Sequence, residues 1–430
     1  MKNSIYLFFL TAITLSCTSN HQVIENKNFV DSLTHHFSIP KSVEIQEKDL
    51  AFWKNRIDPK FPGQVSESRY AGSLIGRFHE FGNIRDIDTA EKILKGINIH
   101  YNNSLASPYS ALVSTSILRH RFSLADTFLQ KAIHLGIGGF TRNTLSFDVD
   151  FETGKFSAAQ FYLSQLRGHK DYAYYFRKSK WEHFNGNIDS AISSMNRAAD
   201  LEKDIPYLKG IALSNTADLY VHQGEMEKAG ELYRNCIRLN SLDLHSILGL
   251  SWVLLEKDQN DSLALTLMNL GRKINALPDP LFRLYQYGQA TQDTNLEKKY
   301  ALEFEKMATD TLYGKMYNKY LIEMYTGILH RPDKAEILAK NELSNRAIPT
   351  TYAWYAYSLL RNHKPEQAYS LFKKYISGKP LESLELYYMG CLFQELNKGF
   401  NAHEFFKAAD KNRFDLSPSF QRNLRKFLEE

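Results

Sequence analysis

Polar side chains that could recognise a charged ligand recur along this chain at nearly regular intervals. The set, with steps of 34, 32 and 38 residues, is Ser114, Asp148, Lys180 and Asp218. Arg177 and Asn215 stand three residues before the last two members. If these positions are equivalent on adjacent elements, Asp148 and Lys180 lie across one gap and Lys180 and Asp218 across the next. The row is then either structural, with each partly exposed pair contributing about 0–1 kcal/mol, or a surface that recognises the polar end of a ligand.

Aromatic side chains occupy the corresponding positions in the C-terminal half of the chain. They are Trp252, Tyr285, Tyr317, Tyr320, Trp354, Tyr357 and Tyr387. Rings with polar tips line many binding grooves, and rings in helical repeats also form core, so both interpretations stay open. The candidate partner contacts from the two rows are Arg177, Lys180, Asn215, Asp218, Tyr320, Trp354, Tyr357 and Tyr387.

The sequence carries no motif that assembles a catalytic or cofactor site. It has neither a Gly-x-x-x-x-Gly-Lys-Ser/Thr phosphate loop nor a Gly-x-Ser-x-Gly elbow. The pairs His79-Glu80 and His403-Glu404 lack the second histidine of a zinc-protease helix. An acidic run beginning at Asp148 starts like a calcium loop, but Ala159 stands at its twelfth position. We therefore expect no enzymatic activity, no cofactor and no metal.

The elements that must position these side chains are revealed by a repeat. A mostly small residue recurs about every 34 positions, and periods of this size indicate stacked supersecondary units rather than one globular core. The recurring positions are Ala90, Ala125, Ala159, Ala191, Ala229, Ala264, Tyr300, Ala335, Ala368 and Ala402. Two of these units look irregular, because a bulky Tyr300 replaces the alanine and the loop before Ala90 is about three residues longer than elsewhere.

The clearest copy of the repeat spans residues 213–236. Leu213, Ala217 and Tyr220 share one helical face, and Gly224 ends that helix. The second helix places on one face Ala229, Tyr233 and Cys236. This pattern resembles the tetratricopeptide repeat. The resemblance implies an all-α, right-handed superhelical solenoid of about ten helical hairpins over residues 67–412, with a concave groove that binds a protein or peptide segment.

The N-terminal residues predict export and membrane anchoring. Residues 1–17 combine Lys2, an apolar run too short to span a bilayer, and a small residue before Cys17. This end resembles the lipobox of bacterial lipoproteins, although Thr14 stands where a leucine is usual. The resemblance implies cleavage before Cys17, lipidation of its thiol and attachment to a membrane of the cell envelope, on a face that the sequence does not specify.

The remaining segments are predicted to tether and cap the solenoid. Residues 18–46 are polar and are predicted to form a tether. Residues 47–66 are predicted to form a capping helix and a linker, and the apolar face of that helix consists of Leu50, Phe52 and Trp53. Residues 413–430 are predicted to form the C-terminal capping helix. The two cysteines of the repeats, Cys236 and Cys391, are too far apart along a solenoid to form a disulfide.

Charge and repeat architecture narrow the class of function. The net charge is +5 with both signs interspersed, whereas nucleic-acid binding requires a basic stripe. A membrane-anchored, non-enzymatic scaffold or adaptor is the function that these features favour, with another protein as its partner and no nucleic acid. The alternative is a carbohydrate-binding lipoprotein of a nutrient-uptake system, against which the tight spacing of the repeats argues.

Overall fold

A computed structural model of the chain describes residues 26–58, 63–397 and 399–429, and this part of the chain contains helices and no strands. Two helices precede the repeats: α1 covers residues 26–35 and α2 Lys41–Lys54. The first five hairpins are α3 (Gln64–Phe81) with α4 (Ile84–His100), α5 (Ala106–Leu118) with α6 (Phe122–His134), α7 (Gly139–Glu152) with α8 (Phe156–Leu166), α9 (Tyr172–Phe184) with α10 (Ile188–Leu201), and α11 (Pro206–Gln223) with α12 (Met226–Leu239).

The second five hairpins follow without an intervening domain. They are α13 (Leu244–Glu256) with α14 (Asp261–Ile274), α15 (Asp279–Ala290) with α16 (Thr294–Ala308), α17 (Asn318–Thr326) with α18 (Pro332–Glu342), α19 (Pro349–Arg361) with α20 (Pro365–Leu371), and α21 (Ser383–Glu395) with α22 (Gly399–Asp410). A π-helix, Phe372–Ile376, extends α20, and short 3-10 turns lie at Thr311–Tyr313 and Arg413–Asp415. The last helix is α23 (Pro418–Glu429). The predicted all-α solenoid of ten hairpins is therefore confirmed.

The recurring small residue marks the crossing of the two helices in each hairpin. In eight hairpins the predicted alanine is the fourth residue of the second helix, and these alanines are buried to 1% exposure or less. A bulkier side chain there would push the helix axes beyond roughly 8–10 Å. Close packing of the two helices therefore explains why a small residue recurs at the fourth position of the second helix.

Two hairpins correct the predicted register. The fourth residue of α4 is Ile87 and not Ala90, and only two residues separate α3 from α4, so the loop is shorter than predicted rather than longer. The fourth residue of α16 is Glu297 and not Tyr300. Here the small partner comes from the first helix, because a Cβ at Gly288 would lie 2.5 Å from the backbone nitrogen of Glu297.

The solenoid coils so tightly that its second superhelical turn packs on the first. Hairpin turns of the early repeats contact inter-hairpin loops 194 to 196 residues later, which is about six repeats. These contacts join Phe81 O to Ala276 N at 2.8 Å, Arg119 O to Lys315 N at 3.1 Å, and Glu152 Oε2 to Arg346 Nη1 at 3.2 Å. The concave groove of an open solenoid is thereby converted into an interior.

The N-terminal segment differs from the predicted tether of residues 18–46. Residues 26–35 are helical, Val30 is fully buried, and Asn26 donates a hydrogen bond to Asp258 Oδ2 at 2.8 Å. The capping helix α2 begins at Lys41 rather than Glu47, and of its predicted apolar face only Leu50 is buried, while Phe52 is 47% exposed. A segment without clear periodicity became helical because it docks on repeats that lie more than 200 residues later.

The predicted signal segment, residues 1–17, and its Cys17 lie outside the described residues. Within the described residues, no helix is both long and apolar enough to cross a membrane. Cys236 and Cys391 are free thiols, and burial raises the pKa of each to about 12.

Candidate functional site

The charge row exists, but its members pair one helical turn away from the predicted partners. Asp148 Oδ2 lies 2.6 Å from Arg177 Nη2, and Lys180 Nζ lies 2.6 Å from Glu152 Oε1. The predicted Asp148–Lys180 and Lys180–Asp218 pairs are therefore wrong. Neighbouring first helices cross at an angle, so contacts fall at separations of 28 and 29 residues rather than at the full repeat length.

Glu152 joins the charge row to the second superhelical turn. Its carboxylate accepts a hydrogen bond from Lys180 Nζ and, at 3.2 Å, one from Arg346 Nη1. Burial by itself would raise the pKa of Glu152, but the two cations outweigh it and hold the pKa below its ordinary value. The carboxylate is thus ionised at neutral pH and ties two layers of the solenoid together.

The predicted aromatic wall is mostly core. Trp354, Tyr357 and Tyr387 are only 3%, 5% and 3% exposed, so the prediction that they form an open binding surface is wrong. Trp354 Nε1 donates to Glu385 Oε1 at 2.6 Å, and the Tyr357 ring stacks on another tyrosine at 3.8 Å. A cavity of about 1110 Å³ borders the two tyrosines, but their rings present almost no surface to it.

The C-terminal segment explains this burial. The Phe420 ring of α23 lies 4.8 Å from the ring of Tyr387 and therefore covers it. Ser417 accepts a hydrogen bond from Gln286 at 3.1 Å, and Arg422 donates to the carbonyl oxygen of Gln289 at 2.8 Å. The chain's own C-terminus thus fills the groove between the seventh and tenth repeats.

A chamber lined by both polar and apolar side chains lies between the superhelical turns. It consists of two adjoining cavities of about 510 and 630 Å³, a size typical of small-ligand pockets. Their shared lining residues are Asn215, Asp218, Phe282, Arg283 and Tyr320. Lys180 lines only the larger cavity. The structure thus brings four of the eight predicted contact residues to one chamber, while Arg177 stands behind it in its ion pair with Asp148.

Two cations of the chamber form no ion pair with any described residue. Arg283 donates a 2.7 Å hydrogen bond to Gln286 and lies 4.8 Å from the ring centroid of Trp252. Burial lowers the pKa of Arg283, but not enough to neutralise a guanidinium. Burial also acts to lower the pKa of Lys319, but facing carboxylates, Glu385 foremost, raise it overall. Both side chains therefore offer positive charge to a ligand.

The Asp218 carboxylate supplies a negative charge in the same chamber. Asp218 accepts a hydrogen bond from Tyr233 Oη at 2.6 Å and lies 2.8 Å from His245 Nε2. The Asp218 carboxylate raises the pKa of His245 to about 9, so the pair is an ion pair at neutral pH. The His245 side chain remains 54% accessible, and it lines the smaller cavity.

His245, Arg283 and Lys319 were not predicted from the sequence. All three lie on first helices of the sixth to eighth repeats, and Lys319 stands between Tyr317 and Tyr320 in the chain. The position of a charged residue, Lys319, within the row of aromatic residues was the sequence signal for these side chains. The prediction instead took the aromatic residues themselves as the binding site.

Comparison with known proteins gives similarities of architecture. No protein-family model and no curated protein matches the sequence. Among solved structures, a tetratricopeptide repeat protein from Parabacteroides merdae is 15% identical with a TM-score of 0.36, covering 60% of this chain and 99% of its own. Yeast Tom70 is 13% identical with a TM-score of 0.36, covering 84% and 96%. Human IFIT1, solved as a dimer with PPP-AAAA, is 11% identical with a TM-score of 0.47, covering 85% of each chain. These similarities assign no function.

Proposed function

We propose that this protein is a non-enzymatic binding scaffold of a bacterial cell envelope, anchored by lipid at Cys17, whose inner chamber takes a short polar segment of a partner protein. The observation that carries the proposal is that two cations, Arg283 and Lys319, line a solvent-accessible cavity without an ion pair to any described residue. Desolvation acts against the positive charge of both side chains, and for Arg283 it prevails. A carboxylate-bearing ligand would supply the ion pair that neither side chain makes with a described residue.

The chamber suits a segment that carries both charges. Arg283 and Lys319 would receive acidic groups, and Asp218 with Tyr320 and Asn215 would hydrogen-bond to backbone or basic groups. The volume of the larger cavity, about 630 Å³, accommodates a few residues rather than a folded domain. The partner therefore inserts a terminus or loop.

The carbohydrate-binding alternative loses its main support. Sugar recognition relies on exposed aromatic faces, and Trp354, Tyr357 and Tyr387 are buried. Tyr320 is the one predicted aromatic contact that keeps a half-buried position at the chamber. A single ring does not form a stacking platform.

Anchoring is tested at Cys17. In the Cys17→Ala variant, labelling with a palmitate analogue should be lost and the protein should leave the membrane fraction. A variant that remains labelled and membrane-bound contradicts the lipid anchor.

Chamber binding is tested by site-specific photo-crosslinking in intact cells. A benzophenone amino acid replaces Phe282, which lines both cavities, or Phe161, which is 57% exposed on α8. A discrete protein adduct should form from position 282 and not from position 161. It should fall on the order of tenfold or more in Arg283→Gln/Lys319→Gln, because each lost charge-assisted contact is worth about 1.5–3 kcal/mol.

The matched control is Lys273→Gln/Lys298→Gln, which removes two exposed lysines from second helices. This variant should leave the adduct unchanged. An adduct that forms only at position 161, or that is insensitive to the chamber cations, contradicts the proposal.

A further inference from the structure

Three metal-ligating side chains meet at one end of the larger cavity. His183 lies in the last turn of α9, His222 lies in the last turn of α11, and Glu382 immediately precedes α21. One potential ligand atom from each residue lies within 4.8 Å of those of the other two. All three residues line the cavity. Imidazole and carboxylate donors in this combination suit a divalent transition metal such as Zn²⁺.

A carboxylate behind the cluster orients one of the imidazoles. Asp415 Oδ2 lies 2.5 Å from His222 Nδ1, so Nε2 is the nitrogen that remains for a metal. A carboxylate bonded to the far nitrogen of a ligating histidine is a recurrent arrangement in zinc sites. The same segment is held in place by Asn412, whose Nδ2 donates to the His222 carbonyl oxygen at 2.7 Å.

The local electrostatics favour a cation at this point. His183 and His222 both lie in the last turn of their helices, where the aligned peptide dipoles place partial negative charge.

We propose that His183, His222 and Glu382 form a Zn²⁺ site that clips the closed superhelix together. Zinc–nitrogen and zinc–oxygen distances near 2.0–2.2 Å place tetrahedral ligand atoms about 3.3 Å apart. The three side chains therefore need to approach by at most about 1.5 Å. Water completes the fourth position, and Asp415 acts as a positioning residue.

The site joins parts of the chain that are far apart in sequence. His183 and His222 belong to the fourth and fifth repeats, whereas Glu382 lies 199 residues after His183 and begins the tenth. No metal was predicted from the sequence, because these three residues form no motif of local spacing. Zinc bound across this junction stabilises the closed form by mass action.

The test is titration of the full-length, EDTA-treated chain with Zn²⁺, followed by calorimetry and thermal unfolding. We expect one equivalent to bind and the melting temperature to rise. Co²⁺ in place of Zn²⁺ should give the visible absorption of a tetrahedral site. His183→Ala and His222→Ala should each weaken Zn²⁺ binding on the order of 100-fold or more, and Asp415→Asn about 10–100-fold. Metal-free circular dichroism identifies any variant that fails to fold, and Glu382→Gln provides a nearly isosteric replacement for the same test.

The matched control is His35→Ala/His36→Ala, which removes the exposed histidine pair of α1 and its end. It should keep the binding and the rise in melting temperature. Loss of binding in this control with retention in His183→Ala, or absence of any stoichiometric binding, overturns the proposed site.

Discussion

The third to fifth repeats and the eighth to tenth repeats use equivalent positions in opposite ways. In the earlier repeats these positions carry charges that pair locally, as Asp148 does with Arg177, and the surface stays polar. In the later repeats they carry rings that are buried, as Tyr387 is beneath Phe420. A position in a repeat therefore becomes site or core according to whether a distant segment of the chain covers it.

Segments distant in sequence cover most of the groove of this solenoid. The C-terminus fills one part of the groove, and contacts about 195 residues apart close the rest into the chamber. The polar positions of the third to fifth repeats face a cavity because none of the described segments packs on them. Substitutions in the covering segments and substitutions at the polar positions of the third to fifth repeats should therefore have different consequences.

The largest effect on the free energy of unfolding is expected from α23, the helix that covers the aromatic residues. Phe420→Ala removes a ring buried against Tyr387 and Tyr388 and should lower the free energy of unfolding by about 3–5 kcal/mol. Phe161→Ala, at a 57% exposed ring, should change it by less than about 0.5 kcal/mol. Denaturant unfolding measures both. Equal, small effects would show that the aromatic repeats do not depend on the C-terminal helix.

The second largest effect on stability is expected at the contact between superhelical turns where Gly154 meets Ile348. Gly154 has φ of 79°, and a Cβ there would lie 2.7 Å from Ile348 Cγ2, whereas Gly186 has φ of 76° with nothing within 4 Å. Both Gly→Ala changes pay about 1–2 kcal/mol for the left-handed backbone. Only Gly154→Ala adds steric overlap, worth about a further 1–3 kcal/mol. Identical losses in unfolding free energy would argue that the turns do not pack there.

These two comparisons show which parts of the fold the sequence could predict. Helix crossings such as Ala229 were predictable because a local packing rule repeats in every hairpin. Tyr300 was wrongly assigned to the crossing position that Glu297 occupies, because the small residue at this crossing is Gly288 of the first helix. The predicted pairing of the charge row was wrong because the first helices cross at an angle, which shifts their side-chain contacts by one helical turn.

The candidate site was only partly predictable for a different reason. The distance of about 195 residues between packed loops depends on the accumulated twist of six repeats, which no local pattern encodes. Lys180, Asn215 and Asp218 were found because they face inward in any superhelix. Arg283 and the histidines of the chamber form a site only when the superhelix closes and brings their repeats together.

A smaller effect should confirm the corrected register of the polar wall. A double-mutant cycle on Asp148→Ala and Arg177→Ala should give a coupling of about 0.2–1 kcal/mol that weakens with salt, as expected for partly exposed pairs. The cycle on Asp148→Ala and Lys180→Ala should give none. Coupling in the second cycle but not in the first would restore the original register.

A further effect concerns pH. Because Asp218 raises the pKa of His245 from 6.5 unfolded to about 9 folded, the pair stabilises the protein fully below about pH 6.5. That stabilisation is lost as the pH rises through about 9. The difference in melting temperature between the wild type and His245→Gln should therefore shrink between pH 6 and pH 10. A difference that is constant or grows with pH would mean that His245 is not charged in the fold.

Closure of the superhelix is most directly measured by the distance between spin labels at Lys155 and Ala347, both exposed beside the Glu152–Arg346 contact. The three native cysteines are replaced by serine, and the labelled cysteines are introduced at these two positions. The structure predicts one narrow distribution at short distance, and Gly154→Ala should broaden it. A distribution centred several tens of ångströms longer in the unmodified background would mean an open solenoid with an accessible groove and no enclosed chamber.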